Sequence, residues 1–335
     1  MKGPSPKQED AELSEKVQKL FEEKGRKTLE IAKKTMSREQ KRIECKEVKD
    51  ALDYFMSEYW LDVARPALLS IVCEAVGGNP KSTTSVAVSS ILISGAADIY
   101  DDIIDRSKTK YGKQTVYGKF GKDIALLIGN ALLFKGLVFL NEVEDLSEQK
   151  RKVMLETLKD MFFELGDAEA MELHYRNCAT PSPAEYLKVI ERKAADVEAH
   201  TRIAAVLGGA DDKEIERLGR YGRLLGMLII LRDDVLDLLD DYELKSRIVK
   251  EHLPLPILCA CQDAETKSRL DRLFKKPRIT SKEVRLIREL TEKSGGIEKS
   301  VEFMKELASE ALSILKQLKV NREYLVTLIR FMLSF

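Results

Sequence analysis

Apolar side chains recur along this chain every three or four residues, the repeat that gathers them on one face of an α-helix. The pattern is thin at first: residues 1–47 are dense in Glu, Lys, Arg and Gln, with Leu20, Phe21, Leu29 and Ile31 as sparse exceptions. That stretch reads as a charged helical N-terminal extension. From residue 48 the apolar face deepens through Leu52, Phe55, Met56 and Trp60. Pro66 marks a start or a kink, and the run after it stops at Gly77-Gly78-Asn79-Pro80, a helix terminator. Residues 82–105 are apolar on most faces (Val86, Ala87, Ile91, Leu92, Ala96, Ala97), which places that helix inside a bundle. A polar, lysine-rich loop spans 106–122, and the pattern predicts helices over 123–143, 148–178, 183–207 and 212–239. Breaks at Pro254 and Pro256, Lys276-Pro277 and Gly295-Gly296 divide the last third into further helices. No segment sustains period-two alternation between turn dipeptides. The fold class is therefore all-α, a single large helical bundle over residues 48–335.

Two places interrupt the apolar pattern in the same way. Asp101-Asp102-Ile103-Ile104-Asp105 follows one apolar run, and Asp233-Asp234-Val235-Leu236-Asp237 follows another, Leu228-Ile229-Ile230-Leu231. On a helix the first and last Asp of each run lie four apart, one above the other, with the second beside them. Like charges so placed destabilise a helix, and something cationic must offset them. One acidic run is commonly a solvated face; two copies, each behind an apolar helix, ask for a stronger reason. Hard oxygen donors at this density suit Mg²⁺, held by one or two carboxylates per helix plus substrate phosphates. If the two helices face each other, their carboxylates rim one central cavity, with the basic loop on the remaining phosphate oxygens and an apolar shaft for a hydrocarbon tail. A diphosphate on a hydrocarbon points to ionisation of an allylic ester. Metal and Lys neutralise the leaving charge, and a dry pocket protects the carbocation.

Composition excludes other classes. The chain has 335 residues, with 56 Lys and Arg against 56 Asp and Glu, so it has no bulk field for nucleic acid, and no basic stretch is interleaved with aromatics. Cys45, Cys73, Cys178, Cys259 and Cys261 form no C-x-x-C pair, which fits a reducing cytoplasm. With only His174, His200 and His252 to join them, a structural zinc site is not expected. No uninterrupted apolar run reaches the ~18 residues of a spanning helix, the longest being broken by Asn130, Lys135 or Arg330. Lys2-Gly3-Pro4-Ser5-Pro6 is not a signal peptide. The expectation is a cytoplasmic protein with no transmembrane segment and no nucleic-acid partner.

These motifs resemble those of the trans-isoprenyl diphosphate synthases, the polyprenyl synthetase family, over residues 48–260 by motif and to the end by helix count. Gly226 and Arg232 stand as in that family's second motif. The resemblance implies an isoprenoid-synthase type bundle that works as a homodimer, with Asp101, Asp102 and Asp105 on the first Mg²⁺ ions and Asp233, Asp234 and Asp237 as the second cluster. It gives Lys193, in Glu191-Arg192-Lys193-Ala194, to the allylic diphosphate, and Lys250, before Leu253-Pro254, as a later phosphate lysine. Lys110 stands where the family has an allylic-site arginine. Glu169 and Glu172 fall near a Gln and an Asp of the family that approach metal-bound water. Ala96 and Ala97 are small where the family sets chain length, so a long tail would pass, narrowed by Tyr100 and Met227. Tyr100 lines the shaft or packs between helices, and Asp98 extends the metal shell or pairs with a loop lysine.

Departures from the family cluster on one substrate. Its Gly-Gly-Lys-Arg-x-Arg-Pro segment, whose lysine and first arginine hold isopentenyl diphosphate, is here Trp60-Leu61-Asp62-Val63-Ala64-Arg65-Pro66. Arg65 survives. A His or Gln is replaced by Ser94, and the second arginine of an Arg-Arg-Gly loop by Tyr111. The family's Phe-Gln pair before the second motif is Ile229-Ile230, and the Thr after its lysine is Ala194. The expected function is Mg²⁺-dependent ionisation of an allylic isoprenyl diphosphate and transfer of the prenyl cation, condensation with isopentenyl diphosphate being the family default and Arg65, Lys108 or Lys113 its stand-in contacts. Two alternatives stay open: a cyclase or lyase that needs no isopentenyl diphosphate, as class I terpene synthases are, and a non-catalytic subunit of a heteromeric synthase.

Overall fold

The computed structural model describes residues 6–110, 112–178, 181–250, 252–276, 278–319 and 321–335. It is all-α: among the described residues, strand is confined to one two-residue antiparallel ladder. The chain divides into two compact units, one of Met1–Asp160, Ala199–Gly219 and Leu318–Leu325, the other of Met161–Glu198, Arg220–Gln317 and Val326–Phe335.

The first unit opens with α1 (Pro6–Gln40) and α2 (Lys46–Tyr54), a π-helical turn (Phe55–Tyr59), α3 (Ala64–Ala75) and a 3₁₀ turn (Pro80–Thr83). Next come α4 (Thr84–Ile104), the hairpin β1 (Thr109–Lys110) and β2 (Lys113–Gln114), and α5 (Val116–Asn141). Helix α4, apolar nearly all round, buries Ile91, Leu92, Ile93, Ala96 and Ile99. Its approach to α5 depends on Gly136: a Cβ there would lie 2.6 Å from Ile93 Cγ1 and 3.0 Å from the Ser89 carbonyl. Ser89 Oγ donates to the Gly136 carbonyl at 2.7 Å in the space so left. Helix α1 lays Leu29, Ala32 and Met36 into the cluster that also holds Phe55, Trp60, Ile91 and Leu92. At Gly25 it passes so close to the turn before α3 that a Cβ would meet the Val63 carbonyl oxygen at 2.0 Å.

Helix α5 starts earlier than the glycine-rich sequence suggests. Thr115 caps it, its hydroxyl accepting from Gly118 N at 2.9 Å, and the positive φ of 82° at Gly121 is absorbed as a kink. By length and hydropathy Pro80–Ile104 and Val116–Asn141 are both long and apolar enough to cross a membrane, a test that tolerates the scattered charges that interrupt their apolar runs. The former is 72% buried, as a core helix should be; the latter is 33% buried and turns Leu126, Leu127, Phe134 and Val138 to solvent.

The helices that follow are α6 (Glu148–Cys178), α7 (Pro183–Lys193), α8 (Ala195–Gly208), α9 (Asp212–Leu239), α10 (Asp241–Lys250), α11 (Leu255–Ala260), α12 (Ala264–Phe274), α13 (Ser281–Lys293), α14 (Gly296–Lys316) and α15 (Glu323–Met332). Leu238, Leu244, Ile257, Leu270 and Ile287 form a core cluster of the second unit. A capping box between Ser182 and Glu185 starts α7, which buries Tyr186, Val189 and Ile190. The helix expected over 183–207 is two: Ala194 closes α7 with ψ near zero at −3°, directly after Lys193. No Gly or Pro marks that break.

Candidate active site

Both aspartate runs lie where a helix least favours negative charge. Asp101 and Asp102 occupy the last turn of α4, with Asp105 as its C-cap, and Asp233, Asp234 and Asp237 lie in the last turns of α9. The partial negative charge of a helix C-terminus adds to the mutual repulsion of the carboxylates. Packing alone would not select such an arrangement, and each run is met by a cation of its own unit.

In the first unit that cation is Lys110. Held on β1 by the pairing Lys110↔Lys113, it donates from Nζ to Asp101 Oδ2 at 2.8 Å and approaches Asp102 Oδ1 at 3.0 Å. Tyr59, the last residue of the π turn, donates to Asp102 Oδ2 at 3.2 Å. Such turns are often found at functional positions, where the extra residue re-aims a side chain. The Asp102 side chain is 2% exposed, and burial pushes its carboxyl up to about 6 against the pull of Lys110. Burial also opposes the charge on Lys110, yet Asp101 and Asp102 hold its pKa well above the ordinary value. Carboxylate oxygens of Asp101 and Asp105 lie within 4.8 Å of one another. Opposite ligands of one Mg²⁺, each about 2.1 Å from the ion, stand about 4.2 Å apart, so these hard oxygen donors fit such an ion after a small side-chain adjustment.

Arg65 is engaged by two carboxylates. Its Nη1 donates to Asp62 Oδ2 at 2.9 Å and to Asp98 Oδ2 at 3.1 Å, and its Nη2 to Asp98 Oδ1 at 3.0 Å. Asp62 also accepts from the Ala64 and Arg65 amides at 2.9 and 3.1 Å, which satisfies free N–H groups at the start of α3. Asp98 thus pairs with Arg65. Tyr100 turns to α5 and donates to Asn130 Oδ1 at 2.7 Å.

In the second unit Asp234 is fully buried and held from three directions. Arg247 Nη2 donates to its Oδ1 at 2.8 Å, while the Tyr186 hydroxyl and the Leu255 amide each donate to Oδ2 at 2.9 Å. Burial raises its pKa, and Arg247 works against that rise. Arg247 Nε also donates to Asp237 Oδ2 at 2.9 Å. Asp233 is exposed. Lys193, at the end of α7, lies between Glu169 Oε1 at 2.9 Å and Glu172 Oε2 at 2.5 Å. His252 joins the two groups, with Nδ1 3.2 Å from Glu172 Oε1 and Nε2 3.0 Å from the Tyr186 hydroxyl.

Within the first unit the structure thus brings Asp101, Asp102 and Lys110 together, and within the second Asp234 and Asp237 on Arg247. Arg65 pairs with Asp62 and Asp98 in the first unit, and Asp98 in turn acts on Asp102. The backbone of Lys250 ends α10, but its side chain, like Tyr111, lies outside the described residues. Sequence reasoning missed Tyr59, Tyr186, Arg247 and His252. One signal was available: Tyr186 precedes Lys193 by two helical turns and so shares its face of α7. Arg247 carries no such mark, being one of several charges on a polar helix.

A protein-family model described as polyprenyl synthetase matches residues 48–291. Among characterised proteins, the chain is 32% identical over 200 residues to a geranylgeranyl diphosphate synthase of Methanosarcina mazei, covering 58% of this chain and 61% of that protein. It is 29% identical over 211 residues to a short chain isoprenyl diphosphate synthase of Methanothermobacter thermautotrophicus, covering 61% and 64%. The matched stretch therefore spans less than two thirds of either relative. Among solved structures, a geranylgeranyl pyrophosphate synthetase from Pyrococcus horikoshii superposes with a TM-score of 0.83 at 25% identity, over 96% of this chain and 99% of that one.

Proposed function

Since the chain belongs to the polyprenyl synthetase family, we propose that it is a Mg²⁺-dependent prenyltransferase of isoprenoid biosynthesis that ionises an allylic isoprenyl diphosphate and transfers the prenyl cation. The observation that carries this reading is the placing of two D-D-x-x-D runs at helix C-termini, where one lysine or arginine against three carboxylates leaves each run net negative and suited to a bound cation. Asp101, Asp102, Asp105, Asp233, Asp234 and Asp237 are assigned to the metal, with Asp234 acting through its hold on Arg247. Bound Mg²⁺ supplies neutralisation of the charge that develops on the departing diphosphate. Lys110 and Lys193 bind the phosphate oxygens, sharing their charge between carboxylate and phosphate, and Lys250 is assigned the same role. Arg65 is assigned to the second substrate. The apolar side chains of α4 keep water from the cation. The partner is a second copy of the chain, for which the outward apolar face of α5 is the contact surface.

A second reading is favoured by one observation. Arg65, which with Pro66 is what survives of the family's isopentenyl-diphosphate segment, already faces Asp62 and Asp98. Two carboxylates on one guanidinium leave that corner net negative, which opposes a second diphosphate. On this reading the cation goes to an internal double bond or is quenched by proton loss, as in a cyclase or lyase.

One assay separates the readings: diphosphate release from farnesyl or geranylgeranyl diphosphate with Mg²⁺, with and without isopentenyl diphosphate. Release only with the second substrate is condensation, release without it is cyclase or lyase chemistry, and EDTA abolishes both. Release in neither arm, restored by a partner chain, marks a non-catalytic subunit and overturns the proposal.

A further inference from the structure

We propose that His252 is a positioning residue that couples the substrate-binding Lys193 to the second aspartate cluster, an inference that rests on the prenyltransferase reading above. The imidazole is buried, 8% exposed, and packs against the Tyr186 ring with centroids 5.1 Å apart. Each ring nitrogen faces a different arm of the site. Nδ1 faces Glu172, whose other oxygen holds Lys193. Nε2 faces the Tyr186 hydroxyl at 3.0 Å and Arg247 Nη1 at 3.2 Å, and both of those groups hold Asp234.

Donor and acceptor chemistry fixes the direction of this chain. A guanidinium can only donate, and a carboxylate paired with Lys193 can only accept. Nε2 therefore offers its lone pair to Arg247, and the neutral ring carries its proton on Nδ1, 3.2 Å from Glu172 Oε1, while the Tyr186 hydroxyl keeps its one proton on Asp234 and braces the imidazole by ring contact. One contact order results: Lys193, Glu172, His252, Arg247, Asp237, with Tyr186 and Asp234 bracing the middle. In a low-dielectric interior such a chain polarises along its length and resists displacement of any one member. A phosphate that draws on Lys193 loads Glu172, and the imidazole passes that load to the groups orienting Asp234 and Asp237. His252 itself touches no reacting atom in this scheme. Its contribution is to hold the lysine and the aspartates in one register, so that the allylic diphosphate finds both preorganised.

The test measures binding of farnesyl thiodiphosphate, an allylic diphosphate analogue slow to ionise, by calorimetry with Mg²⁺, on the full chain and on His252→Ala and His252→Asn. Thermal unfolding is followed alongside, and KM and kcat for farnesyl diphosphate are taken where there is turnover. His252→Ala is expected to weaken binding about tenfold or more, the worth of one or two buried hydrogen bonds, and to raise KM more than it lowers kcat. His252→Asn, which keeps a donor near Nδ1, should recover part of the loss. Wild-type affinity in a folded His252→Ala protein overturns the positioning role and leaves the prenyltransferase reading standing. Failure of the unmodified chain to bind the analogue with Mg²⁺ overturns that reading and the role of His252 with it. Should His252→Ala not fold, His252→Phe, measured in the same way, decides: it keeps a ring against Tyr186 and removes both ring nitrogens, and an unchanged affinity overturns the proposal, whereas a weakening of about threefold or more supports it.

Discussion

Asp102 has two opposed demands on it: the fold would sooner bury a neutral group there, and the metal role proposed for it needs the charge. Its carboxyl titrates at about 6 rather than its ordinary 3.8 because burial disfavours the ionised form. A raised folded-state pKa means that the fold binds this proton more tightly than the unfolded chain does. The stabilisation is complete below pH 4, falls as pH rises from 4 to 6, and is absent above that window. Two pKa units correspond to about 3 kcal/mol as an upper bound. Asp102→Asn is therefore expected to raise Tm at pH 7.5 in EDTA and to flatten the stability slope between pH 4 and 6, while removing diphosphate release. A lower Tm at pH 7.5 would show that the ion pair with Lys110 outweighs the burial of the carboxylate. Lys193 presents the opposite case. Lys193→Met leaves Glu169 and Glu172 confronting each other, so Tm should fall, and kcat/KM for the allylic substrate should drop roughly 10²-fold through loss of one preorganised phosphate contact; an unchanged kcat/KM would remove Lys193 from the site.

At the scale of elements, the placing of the first aspartate run depends on how closely α4 and α5 approach. Gly136→Ala would push a methyl group to 2.6 Å from Ile93 Cγ1, and overpacking of that kind typically costs about 1–3 kcal/mol. Chemical denaturation should show a lower midpoint at an unchanged m-value. On the far side of α5, Leu126, Leu127, Phe134 and Val138 recur with helical spacing on a solvent-facing strip, Phe134 being 67% exposed. In the proposed dimer this strip is the contact surface. Phe134→Glu should convert a dimer into a monomer on light scattering, with the far-ultraviolet dichroism unchanged, and a variant that stays dimeric would place the contact elsewhere. Helix α1 is tied to α3 by Lys24 and Glu74 at 2.6 Å, besides the close pass at Gly25. Removal of residues 1–40 uncovers the site of Leu29, Ala32 and Met36 and loosens the turn that carries Asp62. The shortened chain should melt at lower temperature and bind the hydrophobic dye ANS.

For the whole molecule, the family assignment has a simple physical content: a helical scaffold keeps two acidic helix ends that are unfavourable by themselves, each met by a cation of its own unit. The acidic runs were legible at once, since charge of one sign after an apolar run is conspicuous in a sequence. So was the helical class, because a period near 3.6 is a local property of the chain. Helices α6 and α9 begin and end where their patterns predict, at 148–178 and 212–239. The start of α5 at Val116 was hidden because Gly118 and Gly121 resemble loop residues until the Thr115 cap is seen. The end of α7 after Lys193 was hidden for another reason: its sequence is that of a continuing helix.

What the sequence determined alone is the helical class, the bounds of helices such as α6 and α9, and the two acidic runs, because helical periodicity and the mutual repulsion of carboxylates act over a few residues. What only the tertiary structure decided is which cation answers which carboxylate. Lys110 reaches Asp101 through a hairpin, Arg65 is held by Asp62 and Asp98, and Arg247, Tyr186 and the Leu255 amide converge on Asp234 from three separate segments. Such pairings depend on distances across space between residues far apart in the chain, and no local pattern encodes them.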